Sequence, residues 1–271
     1  MHSRLFEIEK PVIGMVHLPP LPGAPRYTGQ TIEELVEFAI SEAKALEEGG
    51  IDAVLVENYN DYPYPTDRVP TPTLIAMAVI AHRVKAAVSV PVGVNLLFND
   101  VENELYLAWC LGLDFIRVEG FIDLLFTDMG PLFPTAPKLM RLRQILAAEK
   151  VAILADVQGK HTQAFPMRNL IDSARDALER GGADALILTG VRTGEAASKE
   201  IIRELKQKVP NAKIFLGSGV TPENLRESIS FCDGVIVGTY LKKDGIISNP
   251  IDPERVRKLM AVAKSARKAA I

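Results

Sequence analysis

The sequence predicts a single-domain α/β protein, a (β/α)₈ barrel, on three observations. Eight short apolar, β-branched runs recur along the chain, each bounded by Gly, Pro, Asn or Asp. A helical pattern follows each run. Together the units use nearly all of the 271 residues. The runs are nearly continuous in apolar residues, as parallel strands covered on both faces require. Eight such units in about 250 residues suit this barrel. An open doubly wound sheet is the alternative, and it lacks the early G-x-G-x-x-G turn that would favour it.

The first run, Val12–His17, ends at Leu18-Pro19-Pro20. In Thr31–Glu48 the residues Ile32, Leu35, Val36, Ala39, Ala43 and Leu46 fall at helical spacing, and Gly49-Gly50 is the stop. Ala53–Asn58 is the second run and Pro72–Ala87 its helix. Val92–Leu97 follows Pro91 and leads to Val101–Gly112. Phe115–Gly120 is followed by Lys138–Glu149, and Ala152–Val157 by Leu170–Arg180. Ala185–Gly190 precedes Ala196–Val209, Ile214–Gly219 precedes Pro222–Ser228, and Gly234–Thr239 precedes Pro253–Ala269. An internal echo accompanies the rhythm: Leu46–Ala53 resembles Leu178–Ala185, and an aspartate stands before four runs, as Asp52, Asp114, Asp184 and Asp233. These acids are expected at the bottom of the barrel, capping turns or pairing with arginines, without a catalytic role.

Composition narrows the function. With 31 basic and 34 acidic residues the net charge is −3, which argues against nucleic acid as a partner. Hydrophobic residues make up 48% and support a full core, excluding a disordered chain. Cys110 and Cys232 cannot form a disulfide framework, so a reducing, cytoplasmic location is expected. No transmembrane segment or signal peptide is apparent. The last helix carries Lys258, Lys264, Arg267 and Lys268 among alanines. A solvated helix is the ordinary reading, and peripheral membrane contact the lesser one.

In such barrels chemistry sits at the carboxyl ends of the strands. Those ends carry His17, Glu57 with Asn58, Asn95 with Asn99-Asp100, Arg117 with Glu119, Asp156 with Lys160-His161, Thr189, Ser218 and Thr239. Polar groups after so many apolar runs call for a polar cavity, because unpaired burial costs several kcal/mol each. The last two runs end in Gly217-Ser218-Gly219-Val220-Thr221-Pro222 and Gly238-Thr239. Glycines let backbone N–H groups approach an anion, and Thr221 with Pro222 can start a helix aimed at it. The segment resembles the phosphate cup of indole-glycerol-phosphate synthase and phosphoribosylanthranilate isomerase. Lys242 and Lys243 could add charge, although solvated lysines are the simpler reading.

Around Asp156, strand alternation would put Gln158 and Lys160 on the same side. A lysine held charged there could stabilise an enolate or oxyanion. His17 and His161 with carboxylates suffice for acid–base work. No cofactor is predicted, and a divalent metal on His17, Glu57, Asp156 and His161 remains open. Two long loops, Leu18–Gln30 and Phe121–Pro137, are candidate lids or subunit contacts, so a homo-oligomer is expected. Tyr59, Tyr62 and Tyr64 stand beside the site and could stack on a substrate ring.

Taken in order, several segments resemble the BtpA/SgcQ family: Gly14–Gly23, Glu57–Asp61, Pro91–Asn95 with Asn99-Asp100, Phe115–Arg117, Asp156-Val157 with Lys160-His161, and Gly217–Thr221. Gln158-Gly159 departs from the bulkier residues usual there. The resemblance implies a barrel with one shared site. It also implies a link to photosystem I biogenesis for some members, and no established reaction. Two functions are therefore carried forward. One is an isomerase or lyase (aldolase type) acting on a phosphorylated small molecule such as a sugar phosphate or a nucleotide-like compound. There Gly217, Ser218, Gly219, Gly238 and Thr239 hold phosphate, and Asp156, Lys160, His161, His17 and Glu57 do the chemistry. Asn58, Asn95, Asp100, Arg117 and Thr189 bind substrate. The other is a non-catalytic assembly or stability factor for a membrane complex.

Overall fold

A computed structural model describes residues 3–159, 162–190 and 198–268. Eight parallel strands close into a barrel. In chain order they are β1 (Val12–His17), β2 (Ala53–Glu57), β3 (Val92–Asn95), β4 (Phe115–Val118), β7 (Ala152–Asp156), β9 (Ala185–Leu188), β10 (Ile214–Leu216) and β11 (Gly234–Val237). The ring closes where β1 pairs with β11, Val12 opposite Val235. Helices cover the outside: α1 (Ile32–Glu48), α2 (Thr71–Ala87), α3 (Val101–Leu111), α4 (Ala136–Ile145), α5 (Leu170–Glu179), α6 (Lys199–Lys208), α7 (Pro222–Phe231) and α8 (Pro253–Lys268). Thr31 caps α1 by accepting the Glu34 N–H, while the Glu34 carboxylate accepts the Thr31 N–H at 2.7 Å.

Side-chain alternation divides the barrel into two apolar sets. Val12, Val16, Val54, Val56, Val92 and Val94 pack outward against the helices. Ile13, Met15, Ala53, Leu55, Phe115, Leu154, Ile187, Phe215 and Ile236 fill the lumen. Leu5, from the short N-terminal turn, joins this inner set and plugs the bottom. Continuing the inward period by two residues on each strand reaches His17, Glu57, Asn95, Arg117, Asp156, Thr189, Gly217 and Gly238. The same alternation that builds the lumen therefore raises the polar layer at its mouth.

The four strand-leading aspartates form a repeated joint. The carboxylates of Asp52, Asp114, Asp184 and Asp233 accept the N–H of Val12, Val92, Ile153 and Ile214 at 2.8, 2.9, 2.8 and 2.8 Å. Each also pairs with a cation from a helix: Arg267, Lys85, Arg143 and Lys206, respectively. Both expected roles, turn capping and cation pairing, occur in the same residue.

Two expectations are corrected and a third is sharpened. The Phe121–Pro137 segment is not a plain loop. It contains β5 (Leu125–Thr127) and β6 (Gly130–Leu132), which join β8 (Thr162–Ala164) in an antiparallel sheet of order β6-β5-β8. These strands are three residues long and partly exposed, too little pattern to be read from sequence. Lys242 is 1% exposed and ion-paired to Glu42 of α1, so it is neither solvated nor at the mouth. Finally, α8 buries Val256, Leu259, Met260, Ala263 and Ala266. Its apolar face is occupied by the core, while Lys258, Lys264 and Lys268 are exposed, as the solvated-helix reading expects. Among the described residues no helix is long and apolar enough to cross a membrane.

Candidate active site

The mouth layer is held together by one guanidinium and three carboxylates. Arg117 donates from Nε and Nη2 to Asp156 at 2.8 and 3.1 Å. Its Nη1 lies 3.8 Å from Glu57 and its Nε 3.9 Å from Glu119. Asn95 bridges the other two acids, donating from Nδ2 to Glu57 at 3.0 Å and to Glu119 at 2.7 Å. All five residues are buried. One cation cannot offset three buried carboxylates, so the cluster holds a proton at neutral pH. Burial, with help from the Asp156 and Glu57 charges and against Arg117 and Asn95, raises Glu119 to about 8. Burial works against the Arg117 charge, but Asp156 outweighs it and raises the Arg117 pKa. On the other flank His17 Nε2 lies 3.7 Å from Glu57, and its ring sits 4.4 Å from that of Tyr59.

Behind this layer Glu104 of α3 is buried, and its Oε1 has no hydrogen-bond partner among the described residues. Burial and the Glu119 and Asp100 charges keep it protonated well above the usual carboxylate range, against N–H groups of Leu96 and Arg117. Sequence reasoning missed it because a glutamate inside a helix looks like surface.

The glycine segments form the other wall. Gly217, Ser218, Gly219, Thr221, Gly238 and Thr239 line a cavity of about 310 Å³ together with His17, Glu57, Tyr59 and Arg117. A Cβ on Gly238 would stand 2.9 Å from His17, and one on Gly217 2.6 Å from Ile187. Gly219 has φ +71°, a conformation open to glycine. Asn224 clamps the turn, accepting the Thr221 N–H at 2.9 Å and donating to the Gly219 carbonyl at 2.7 Å. Thr221 and Pro222 begin α7 as expected. Ser218 Oγ accepts the Gly190 N–H at 3.4 Å.

Not every expected residue arrives here. Asn58 is 1% exposed, and its amide donates to Asp61 and Leu97 O and accepts from Leu97 N at 2.7 Å. It ties two loops together and does not line the cavity. Asp100 likewise accepts Val69 N–H and Asn103 side-chain N–H groups, which fixes the start of α3. Thr189 follows β9 beside Gly217, its methyl 2.8 Å from where a Cβ on Gly217 would stand. Gln158 departs from strand alternation at φ +49°, and its amide reaches Arg168 O and Ser173. β7 ends at Asp156, so the alternation stops there. Lys160 and His161 lie outside the described residues. Within those residues no group of three or more His, Cys, Asp or Glu is placed to hold a metal ion.

A closed parallel barrel with its charged layer and glycine cup at the strand ends is the architecture of TIM-barrel enzymes. The chain belongs to the BtpA family, which it matches over residues 8–265. A Pyrococcus furiosus protein described as uncharacterized is 41% identical over 257 residues, 95% of this chain and 96% of its own. The photosystem I biogenesis protein BtpA of Synechocystis is 40% identical, covering 93% of this chain and 87% of its own. The putative sgc region protein SgcQ of Escherichia coli is 31% identical over 93% of both. Among solved structures, thiamine phosphate pyrophosphorylase from Pyrococcus furiosus superposes with TM-score 0.58 at 15% identity, covering 95% of this chain and 96% of that one. Phosphoribosyl anthranilate isomerase from Thermus thermophilus gives 0.53 at 17%, covering 94% and 98%. At these identities the structural likeness is one of fold.

Proposed function

We propose that this protein is an enzyme of isomerase or lyase type acting on a small phosphorylated metabolite. One observation carries the reading. The glycine segments after β10 and β11 share a single cavity with His17, Glu57 and Arg117. Phosphate against the glycine backbone, at the start of α7, leaves the rest of the substrate over the acid–base layer. Glu119 holds a proton in that layer and can act as the acid, and the bonds to Asp156 hold the Arg117 guanidinium in one orientation over the cavity. The names of the two structural neighbours above include a phosphate or phosphoribosyl group, in keeping with this reading, though it rests on the cavity.

The test is a panel of sugar phosphates incubated in deuterated water and followed by NMR, with binding measured in parallel. At least one compound is expected to bind and to take up solvent deuterium at a single carbon. Gly238→Val, which pushes a side chain toward His17, is expected to abolish both. No binding by any compound would overturn the reading. The name of the Synechocystis relative favours a second one, a non-catalytic assembly factor. Full rescue of a deletion phenotype by Gly238→Val and by alanine at Lys160 and His161 would establish that instead.

A further inference from the structure

The cavity at the glycine cup does not end at the charged layer. A second chamber of about 250 Å³ opens beyond it and shares Glu57, Tyr59 and Arg117 with the first. The two chambers differ in chemistry. The first offers glycine backbone. The second is walled by Tyr59, Tyr62, Tyr64 and Phe98, with Glu119 and Asp156 at its floor. The Tyr64 and Phe98 rings lie 5.4 Å apart, tilted by 32°. Burial raises the pKa of Tyr59 and Tyr64, so both stay neutral phenols with flat faces. The only cation lining this chamber among the described residues is Arg117, whose Nε and Nη2 already serve Asp156. The described lining suits a planar group with N–H donors, because the aromatic walls take its faces and the carboxyl groups accept its hydrogens.

Size supports the same ligand. Small-molecule sites usually span about 300–1,000 Å³. Either chamber alone sits at or below the bottom of that range, and the joined space lies inside it.

We propose that the ligand is two-ended and of the nucleotide class: a phosphate against the glycine segments after β10 and β11, and a nitrogen ring among Tyr59, Tyr64 and Phe98. The inference rests on the phosphate reading above and adds what lies at the far end of the molecule. Glu57 and Arg117, common to both chambers, then face the sugar that joins the two ends.

Isothermal titration of the whole protein with ribose 5-phosphate, adenosine, and the monophosphates of adenosine, cytidine, guanosine and uridine tests it. At least one monophosphate is expected to bind tenfold or more tighter than ribose 5-phosphate, the scale of one stacked base. Phe98→Ala is expected to bring that nucleotide down to the affinity of ribose 5-phosphate, with Phe98→Leu as the variant if the alanine form does not fold. Ribose 5-phosphate binding as tightly as every nucleotide would overturn the ring arm and leave the phosphate reading standing. If adenosine binds as well as its monophosphate, or if no phosphate compound binds, the phosphate reading falls and this inference with it.

Discussion

Arg117 is the residue on which the mouth depends. Two of its N–H groups serve Asp156, and Glu57 and Glu119 lie within 4 Å of it. Replacing it with methionine keeps the length and removes the charge, which leaves Asp156 buried without its partner. Breaking such a pair from one side costs about 3–5 kcal/mol. Arg117→Met is therefore expected to lower the urea unfolding free energy by that amount, and a loss under 1 kcal/mol would show that the cluster relaxes. Glu104 gives the opposite case. It is already neutral, so Glu104→Gln keeps both shape and charge state, and a loss under about 1 kcal/mol is expected. A loss as large as that of Arg117→Met would mean that Glu104 is ionised. Arg117 was legible in the sequence because it is a charge inside the apolar run Phe115–Gly120. Glu104 was not, because its depth comes from how α3 packs on β3 and β4.

The repeated joint at the barrel bottom is a matter of elements. Each strand-leading aspartate accepts an N–H at the start of the preceding barrel strand and pairs with a cation from a helix. Asp184→Ala leaves the Ile153 N–H and the Arg143 guanidinium without this acceptor. A cost of about 1–3 kcal/mol follows, with ligand binding unchanged because the joint lies at the face away from the cup. Chemical denaturation with parallel titration of a bound phosphate compound checks both halves, and weakened binding would contradict the separation. Register adds a second device. Gly93 stands opposite Phe115 and Gly234 opposite Phe215, and a Cβ on either glycine would come within 2.3 Å of the ring. Gly93→Ala is expected to cost about 1–3 kcal/mol by overpacking, and adding Phe115→Leu should restore part of it. The eight runs were readable because each strand is largely apolar and buried throughout, even the three-residue β10. The β5-β6-β8 sheet was hidden because its three-residue strands are partly exposed. Lys242 misled because its partner, Glu42, is 200 positions away in the chain.

For the whole molecule, the consequence of gathering carboxyl groups at one end of a barrel is a stability that falls as pH rises. Most acidic residues near cations do the reverse. Burial raises Asp61 to about 6 and Glu119 to about 8, from ordinary values of 3.8 and 4.5. The folded protein thus binds these protons more tightly than the unfolded chain does. Their protonation favours folding fully below pH 4, and that contribution is lost through pH 4–6 for Asp61 and pH 4.5–8 for Glu119. The near-neutral net charge of −3 hides this, because three buried carboxyl groups, Glu57, Glu119 and Asp156, share one guanidinium at the mouth. Glu119→Gln removes the titrating proton while keeping an amide that can hydrogen-bond to Asn95. Urea unfolding of both proteins at pH 5.5, 7 and 8.5 separates its part from all others. The wild type is expected to lose stability steadily across the series, by on the order of a few kcal/mol more than the variant. Parallel curves would place the proton elsewhere in the cluster. If the same proton is the acid of the reaction, turnover by the wild type should decline above pH 8, in the range where its stability advantage also ends.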